Sequence, residues 1–564
     1  GDISPLDIFI LCELNINLII FIYIKIHYIM NFYISFILLN LHVSVGYDFD
    51  YNHIADILPG IQIINSKFKN IENGKFRFWQ TTDCLNILYE KSPFLNYDGC
   101  YFQNPDAPYG IMLFPPHKNE VIDEYYGFPI SDSNNYSGTW HMKKNEAIIL
   151  LGVTPPKCKY FSFSNYLYSR HFPEDWKPDS GKLNQQYYLN CPDGNIADRC
   201  EIFASLDDSI NLDRGLNLNV NIFNTSFALV LSHSQEATKY AIEGLLKAGV
   251  SKNLISNYSF PGSELNSGID THNDTFITVM RTAFYDNEND ADKYFKEIPF
   301  RVIRMELNQN DVTLYNKKPL INRITKYNDA SKAGVGLQDM KNVLINVVKS
   351  VVKNITGSSY NWYLQITRTV SGAPDNGFEC IDQGRMCLAD CRDTLYPFST
   401  KIYRDFEFCT NQNISCNGVM SGKLSSNPYD VIITVGVNHA LTEMSSYSSI
   451  SIYDAKYLWG VYTVGDTKLN NTVWNYININ NYTDSISKKV LPYIYVYEIR
   501  RNCKNISNCI EVPNTPSSDK PTFIPFNDTI VITERMYNNP ITHVGPSLDD
   551  VILPFTIHLN SKDI

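Results

Sequence analysis

Between residues 225 and 308 the apolar pattern switches between a period of two and a period near 3.6, and this stretch constrains the fold more than any other. Residues 227–232 (FALVLS) read as a buried strand. Ala237, Tyr240, Ala241, Gly244, Leu245 and Ala248 then follow at i, i+3, i+4, i+7, i+8 and i+11, which is one face of a helix. Residues 254–260 predict a strand stopped by Pro261-Gly262, and 275–285 (TFITVMRTAFY) predict another. A short helix over 290–296 ends near Pro299, and 300–307 (FRVIRMEL) close the set with a strand. The order is βαββαβ, which predicts a ferredoxin-like unit within 216–310. Such a unit carries no function by itself.

The flanks differ in character. Residues 47–215 are rich in aromatics, Pro and Gly, with short apolar runs such as 147–153, and predict strands joined by long loops. In the region 311–564, Met340, Val343, Leu344, Val347, Val348 and Val351 predict a helix over 337–353; Ile345 and Val352 widen its stripe, so it is expected to lie against a sheet. A Cys-rich loop spans 378–416, strands are expected at 431–437, 449–453, 459–464 and 493–499, and 511–564 is expected to wrap the surface. No repeat of 20–50 residues is visible. The predicted class is α+β: a β-rich N-terminal region, a ferredoxin-like unit, and a mixed C-terminal region. With 564 residues, 44% hydrophobic and 19% charged, there is ample chain for a large core. The formal charge of -11 disfavours a nucleic-acid partner.

The N-terminal sequence bears on compartment. Residues 1–29 resemble a translated leader, and Met30 opens a segment whose apolar run, 34–41, precedes Ser44-Val45-Gly46. This predicts a signal peptide over 30–46, cleaved after Gly46, although no Lys or Arg directly follows Met30. The alternative is a signal anchor over 16–41, interrupted by Lys25 and His27. No later apolar run has membrane length, so no span is expected after cleavage. Beyond Cys12 lie twelve cysteines: Cys84, Cys100, Cys158, Cys191, Cys200, Cys380, Cys387, Cys391, Cys409, Cys416, Cys503 and Cys509. An even number with close spacings predicts mostly local disulfides in an oxidising compartment, with Cys158 the leftover partner of the 380–391 cluster. The metal reading of Cys387-x3-Cys391 lacks a nearby His and a second half-site. Sequons at Asn135, Asn224, Asn257, Asn273, Asn354, Asn413, Asn470, Asn481, Asn505 and Asn527 permit glycosylation, though an Asn-rich chain produces such triplets by chance.

Several constellations have chemical potential. Asp286, Glu288, Asp290 and Glu297 fall at positions 1, 3, 5 and 12 of a calcium loop, but Ala291 stands where the turn needs Gly. Calcium is therefore the cofactor this stretch would take, against the plainer reading of acids at a helix N-terminus. Asp382, Arg385, Asp390, Arg392 and Asp393 lie among clustered cysteines, either a pinned ligand loop or an ion-pair knot. His439 ends a strand beside Gly436 and Asn438, a position for a general base with Asp393 or Asp390 as orienter and Ser446 or Tyr447 close in sequence; a structural histidine is the plainer reading. His141 and His171 are looser candidates, and Ser234 in Ser232-His233-Ser234 reads as a helix N-cap. No nucleotide loop, zincin helix or nucleophile elbow occurs.

The block TPPKCKYFSFSNYLYSR (154–170), together with RDTLYP (392–397) and GVNHA (436–440), resembles blocks of a family of secreted microbial and algal proteins with no assigned activity. The resemblance spans most of 80–550 and implies one secreted architecture without supplying catalytic residues. Two functional expectations follow. The first is a secreted, disulfide-stabilised glycoprotein at the cell surface or in a matrix, binding an extracellular protein or glycan or self-assembling into fibrils by strand addition. The second is a secreted hydrolase using Asp393, Arg392 and His439.

Overall fold

The strands of each half pair into two sheets, and the same strand order is used twice. The computed structural model describes residues 67–79, 103–105, 108–120, 135–172, 199–216, 222–324, 329–330, 332–357, 362–368, 370–371, 377–383, 387, 389–398, 422–455, 459–517 and 521–561. The first half contains β1 (Phe68–Asn73), β2 (Lys75–Trp79), β3 (Tyr109–Leu113), β4 (Glu146–Val153), β5 (Cys158–His171), β6 (Arg199–Ser205) and the short β7 (Ile210–Asn211). It continues with β8 (Ser226–Ser232), helix α1 (Gln235–Lys247), β9 (Ile255–Ser259), β10 (Thr275–Tyr285), α2 (Glu288–Glu297) and β11 (Phe300–Leu307). Its outer sheet runs β1-β11-β4-β8-β9 and its inner sheet β2-β3-β10-β5-β6.

A small hairpin, β12 (Asp329–Ala330) and β13 (Val335–Gly336), leads into α3 (Leu337–Thr356). The second half then contains β14 (Trp362–Arg368), β15 (Val370–Ser371), α4 (Gly377–Gln383), β16 (Thr394–Leu395), β17 (Pro397–Phe398), β18 (Val431–Val437), β19 (Tyr447–Asp454) and β20 (Gly460–Gly465). It ends with α5 (Ser485–Val490), β21 (Ile494–Arg500), β22 (Cys509–Glu511), β23 (Ile530–Tyr537) and β24 (Phe555–Ser561). Its outer sheet runs β14-β24-β18-β21-β22 and its inner sheet β15-β17-β23-β19-β20. Reading β1 as β14, β4 as β18, β5 as β19 and β10 as β23, the two orders coincide strand for strand. The parallel pair recurs too, β8 with β9 and β21 with β22.

Alternation along each strand decides which side chain enters which layer. Ile148, Leu150, Leu229 and Leu231 of the first outer sheet meet Phe161, Phe163, Phe276 and Met280 of the first inner sheet in one core. Ile432 and Ile499 meet Ile450, Ile452, Ile530 and Ile532 in the equivalent core of the second half. The helices cover the outer faces: α1 buries Ala237, Ala241 and Leu245 against β4 and β8. Helix α3 buries Met340, Val343, Leu344, Val347, Val348 and Val351 against β18 and its neighbours. The remaining faces, those of the two inner sheets, meet each other. Tyr160 and Ala283 of the first half pack with Tyr447 and Tyr537 of the second, and Trp459 packs among Tyr166, Tyr168 and Ile277. The molecule is thus α+β and sheet-rich, layered helix–sheet–sheet–sheet–sheet–helix.

Several expectations change on this frame. The six elements of 225–308 occur in the predicted order, but they do not make one ferredoxin-like sheet: β10 crosses to the inner sheet, and β4, from outside the unit, separates β8 from β11. Residues 511–564 do not wrap the surface, because β23 lies inside the second inner sheet and β24 inside the second outer sheet. The boundary near 310 coincides with the end of β11, whereas 47–215 and 216–310 together build one two-sheet half. The repeat is far longer than 20–50 residues and spans half the chain. The leader and signal region, with Cys12, lies outside the described residues. Among those described, no helix is long and apolar enough to cross a membrane.

Candidate functional site

The seam between the inner sheets holds a cluster of buried polar side chains, among them Ser162, Ser164, Arg281, Ser449, Ser451, Thr533 and Arg535. Its sequence basis is a motif that occurs twice: Tyr160-x-Ser162-x-Ser164-x-Tyr166 on β5 and Tyr447-x-Ser449-x-Ser451-x-Tyr453 on β19. Period two turns all four residues of each motif toward the seam. Arg281 of β10 lies opposite Ser162 on one side and Tyr109 on the other. Arg535 of β23 lies opposite Ser449, and the register of β16 and β17 sets Tyr396 on its other side. Each guanidinium therefore sits between two tyrosines. Arg281 Cζ is 5.7 Å from the Tyr109 ring centroid and 5.3 Å from that of Tyr166; Arg535 Cζ is 5.2 Å from Tyr396 and 5.5 Å from Tyr453. Arg281 donates to Tyr166 Oη, to Ser164 Oγ at 3.2 Å and to the Ala389 carbonyl at 3.0 Å. Arg535 donates to Tyr453 Oη at 2.5 Å and Tyr537 Oη at 3.2 Å.

The Cys-rich segment of the second half reaches back into this seam. The Cys380–Cys387 disulfide closes its first loop, and Phe378, Cys380, Ile381 and Cys387 complete the first half's core. Cys387 N and Ala389 N then donate to Ile202 O and Phe203 O at 2.7 and 3.0 Å, following β6. Asp390 accepts from Ser205 N at 2.8 Å and Ser205 Oγ at 2.5 Å. Arg392 donates to Asp208 at 2.9 Å and to Ile321 O at 2.6 Å. Asp393 accepts from Tyr160 Oη at 2.8 Å, with Cys391 Sγ 3.8 Å from the same hydroxyl. Burial pushes the carboxyls of Asp390 and Asp393 above the usual carboxylate range, and burial beside Asp393 pushes the Tyr160 phenol well up.

His439 belongs to a different constellation. It is 1% exposed, with Nε2 at 3.1 Å from both the amide and the carbonyl of Ile552 and Nδ1 at 3.4 Å from Thr442 Oγ1. Burial lowers its pKa to about 4. It bonds to neither Asp393 nor Asp390, so the structure joins Asp393 to Tyr160 and Arg392 to Asp208 but brings neither acid to the imidazole.

The looser histidines resolve differently. His141 Nδ1 lies 2.7 Å from Glu120 Oε1, and His117 Nδ1 lies 3.4 Å from Glu146 Oε1. Burial takes His117 down to about 3 and Glu146 up to about 8. The acid partners were not visible in the sequence, since they are remote from the histidines and follow no spacing rule. His171 meets His272 edge-on at 4.5 Å. His233 is fully buried beside Phe260 and Phe276, and Ser234 caps α1 by accepting from Ala237 N at 3.1 Å.

The calcium loop does not form. Residues 288–297 are helix α2, Asn287 is its N-cap, and Ala291 is helical where the loop would need a sharp turn. Asp286 pairs with Lys157 at 2.8 Å and Glu297 with Lys293 at 3.7 Å, while Glu288 and Asp290 occupy the first turn, where the dipole favours acids. No group of three or more His, Cys, Asp or Glu able to hold a metal occurs among the described residues. Cys503–Cys509 forms a second disulfide, and Cys200 is also disulfide-bonded. Cys158, expected to pair with a member of the 380–391 cluster, is free and buried, as is Cys391: Cys380 takes Cys387, and the Cys158 thiol donates to the Tyr160 carbonyl at 3.4 Å, with burial raising its pKa to about 12. Cys84, Cys100, Cys191, Cys409, Cys416 and Asn413 lie outside the described residues. Of the other sequons, Asn135, Asn224, Asn257, Asn354, Asn481, Asn505 and Asn527 are exposed, and Asn273 and Asn470 are half-buried.

The fold and site define a protein of two equivalent two-sheet halves closed on a tyrosine–arginine seam. No family model and no curated protein matches the sequence. Among solved structures it is similar to a protein from Vibrio parahaemolyticus, with 8% identity over 85% of this chain and 96% of that one at a TM-score of 0.31. An uncharacterised protein from Burkholderia cenocepacia is similar at 7% identity over 86% and 87%, with a TM-score of 0.32. Neither likeness carries an argument about function.

Proposed function

We propose that the chain is a secreted, disulfide-stabilised glycoprotein that works by binding an extracellular partner. The observation that carries this reading is that every residue of the candidate hydrolase is spent on the fold. Asp393 serves Tyr160, Arg392 serves Asp208, and His439 is sealed against the Ile552 backbone. A general base must reach a substrate proton, and a ring with 1% exposure does not. The disulfides favour an oxidising compartment. Self-assembly by strand addition is the weaker form of this reading. Asn257 lies on edge strand β9, and Asn505 lies in the disulfide loop before edge strand β22, so glycans there would shield both edges.

The test is expression through a eukaryotic secretory pathway. The expected product is soluble in the medium, shortens in apparent mass on enzymatic deglycosylation, and is secreted equally well as His439→Gln. A hydrolytic activity lost in both His439→Gln and Asp393→Asn, with folding intact, would overturn the binding reading and restore the enzyme.

A further inference from the structure

The two halves differ at one set of interior positions. Residues 146–153 (EAIILLGV) of β4 and 430–437 (DVIITVGV) of β18 align without a gap, which sets Gly152 on Gly436 and Leu150 on Thr434. Across from the two glycines stand Phe227 on β8 and Tyr495 on β21. Across from Leu150 and Thr434 stand Val302 on β11 and Thr556 on β24. Arg281 on Arg535 sets Met280 of β10 on Glu534 of β23. Leu150, Phe227, Val302 and Met280 all belong to the first core. At the same four positions the second half has Thr434, Tyr495, Thr556 and Glu534; Glu534 is 1% exposed and the other three are wholly buried. Thr434 Oγ1, Thr556 Oγ1, Tyr495 Oη and both Glu534 oxygens make no hydrogen bond to the described residues, although buried polar atoms are ordinarily satisfied. Tyr495 stands beside Glu534, and its phenol arrives across Gly436, where a Cβ would come 2.4 Å from Oη. The charged groups on this face give Glu534 no counter-ion. His558, two residues beyond Thr556, holds Asp430 at 2.9 Å. Asp454, on the same face of β19 as Ile450, is itself an acid, and Ile450 directly opposite Glu534 is apolar. Alternation turns Arg535 to the seam. An ionised carboxylate so placed is costly, and burial holds the Glu534 carboxyl well above the usual carboxylate range.

We propose that Glu534 is a proton-operated lock on the second half's core: as a neutral acid beside Tyr495 it lets the core close, and its ionisation drives β23 away from the outer sheet. The core closes over the neutral acid as the first core closes over Met280. The carboxylate must instead reach water, which the closed sandwich denies it. Strand β23 also carries Arg535 and Tyr537 of the seam, so the opening reaches the face that the two halves share. The folded pKa lies above the ordinary 4.5 of the unfolded chain, so the lock is complete below about pH 4.5 and weakens as pH rises. That sense is opposite to the effect of the buried histidines. The lock stands independently of the binding reading.

The test is amide hydrogen exchange of the full chain between about pH 6 and about pH 9, read by mass spectrometry, corrected for the intrinsic exchange rate, and run on the wild type and Glu534→Gln. An opening that ionises Glu534 releases one proton. Its equilibrium constant is therefore expected to rise about tenfold per pH unit in peptides covering 430–437, 494–500 and 530–537 of the wild type. In Glu534→Gln, which keeps the shape and cannot ionise, that rise is expected to vanish, while peptides covering 146–153 and 275–285 respond to pH alike in both proteins. Infrared spectroscopy at neutral pH gives a second reading, because a protonated-carboxyl band of the wild type is expected to be missing from the variant. Should Glu534→Gln not fold, Glu534→Met, which installs the residue the first half uses, takes its place in both measurements. The same pH dependence in wild type and variant would overturn the lock. A protonated-carboxyl band unchanged by the substitution would overturn it too, by removing the neutral acid on which it rests.

Discussion

His439 shows how burial settles the role of a residue whose sequence setting is ambiguous. Its ring is neutral in the fold, with a pKa lowered from the ordinary 6.5 to about 4, and His117 and His233 are taken to about 3 by the same desolvation. Folded pKa values below the unfolded one mean that this stability is complete above about pH 6.5 and is lost as pH falls toward 4 and 3, because the unfolded chain binds the protons first. For His439 the shift corresponds to something on the order of 3 kcal/mol. Glu146, raised to about 8, acts in the opposite sense and loses its contribution as pH rises from about 4.5 through 8. Urea denaturation at pH 7 and pH 5 is therefore expected to show a marked loss at pH 5. His439→Gln, which keeps a hydrogen-bonding group for Ile552 and does not titrate, should show a smaller loss; an identical pH dependence in the two would count against the assignment. The cysteines give a second residue-scale prediction. Unfolding without reductant, followed by alkylation, should label Cys158 and Cys391 and leave Cys200, Cys380, Cys387, Cys503 and Cys509 unlabelled. A disulfide-linked peptide joining Cys158 to Cys391 would contradict it.

At the scale of elements, the helices were the most legible part of the chain. The stripe from Ala237 to Ala248 and that from Met340 to Val351 both face a sheet, because a 3.6-residue period names one buried face without reference to any partner. Leu245 is wholly buried between α1 and its sheet. Leu245→Ala is expected to cost about 2–5 kcal/mol in chemical denaturation, and Leu245→Asp should abolish folding through an unpaired buried charge; a loss below half a kcal/mol for Leu245→Ala would show that this face is not load-carrying. The strands read from the sequence have nearly correct bounds, yet their sheets were not found, and β23 and β24 were missed in a segment expected to wrap the surface. Alternation tells a strand's two faces apart, but it does not say which neighbour the strand joins. Thr275–Tyr285 alternates equally well for one sheet as for another, and it crosses to the inner one. The calcium loop failed for a local reason: acids at spacing 1, 3, 5 also suit a helix N-terminus, and Ala291 favours the helix. Asp393 was placed correctly in a polar site but with the wrong partner, since Tyr160 comes from the other half of the chain.

Across the whole molecule, the internal repeat escaped the sequence because so few identities carry it. Tyr160, Ser162, Ser164 and Tyr166 against Tyr447, Ser449, Ser451 and Tyr453, with Arg281 against Arg535, are residues of the seam, whereas the cores are interchangeable apolar choices. The facing sheets are also tied by chain crossing. Phe378 and Ile381, from the second half, sit in the first half's core, Trp459 packs on the first inner sheet, and Lys159 pairs with Asp466 across the seam at 2.7 Å. Separation of the halves would thus expose core surface as well as the buried guanidiniums, so neither half is expected to persist alone at equilibrium. Denaturant unfolding of the intact chain should be a single transition, with tryptophan fluorescence and far-UV circular dichroism superimposing. Each half has its own tryptophans, Trp140 in the first core and Trp474 near α3 in the second, so a two-step process would separate the probes. Phe378→Ala removes an anchor that the second half places in the first; the midpoint should fall while the probes stay coincident. Two resolved transitions in the wild type would show that the seam is an interface between independent domains, and the crossing segment would then be a tether rather than part of one cooperative core.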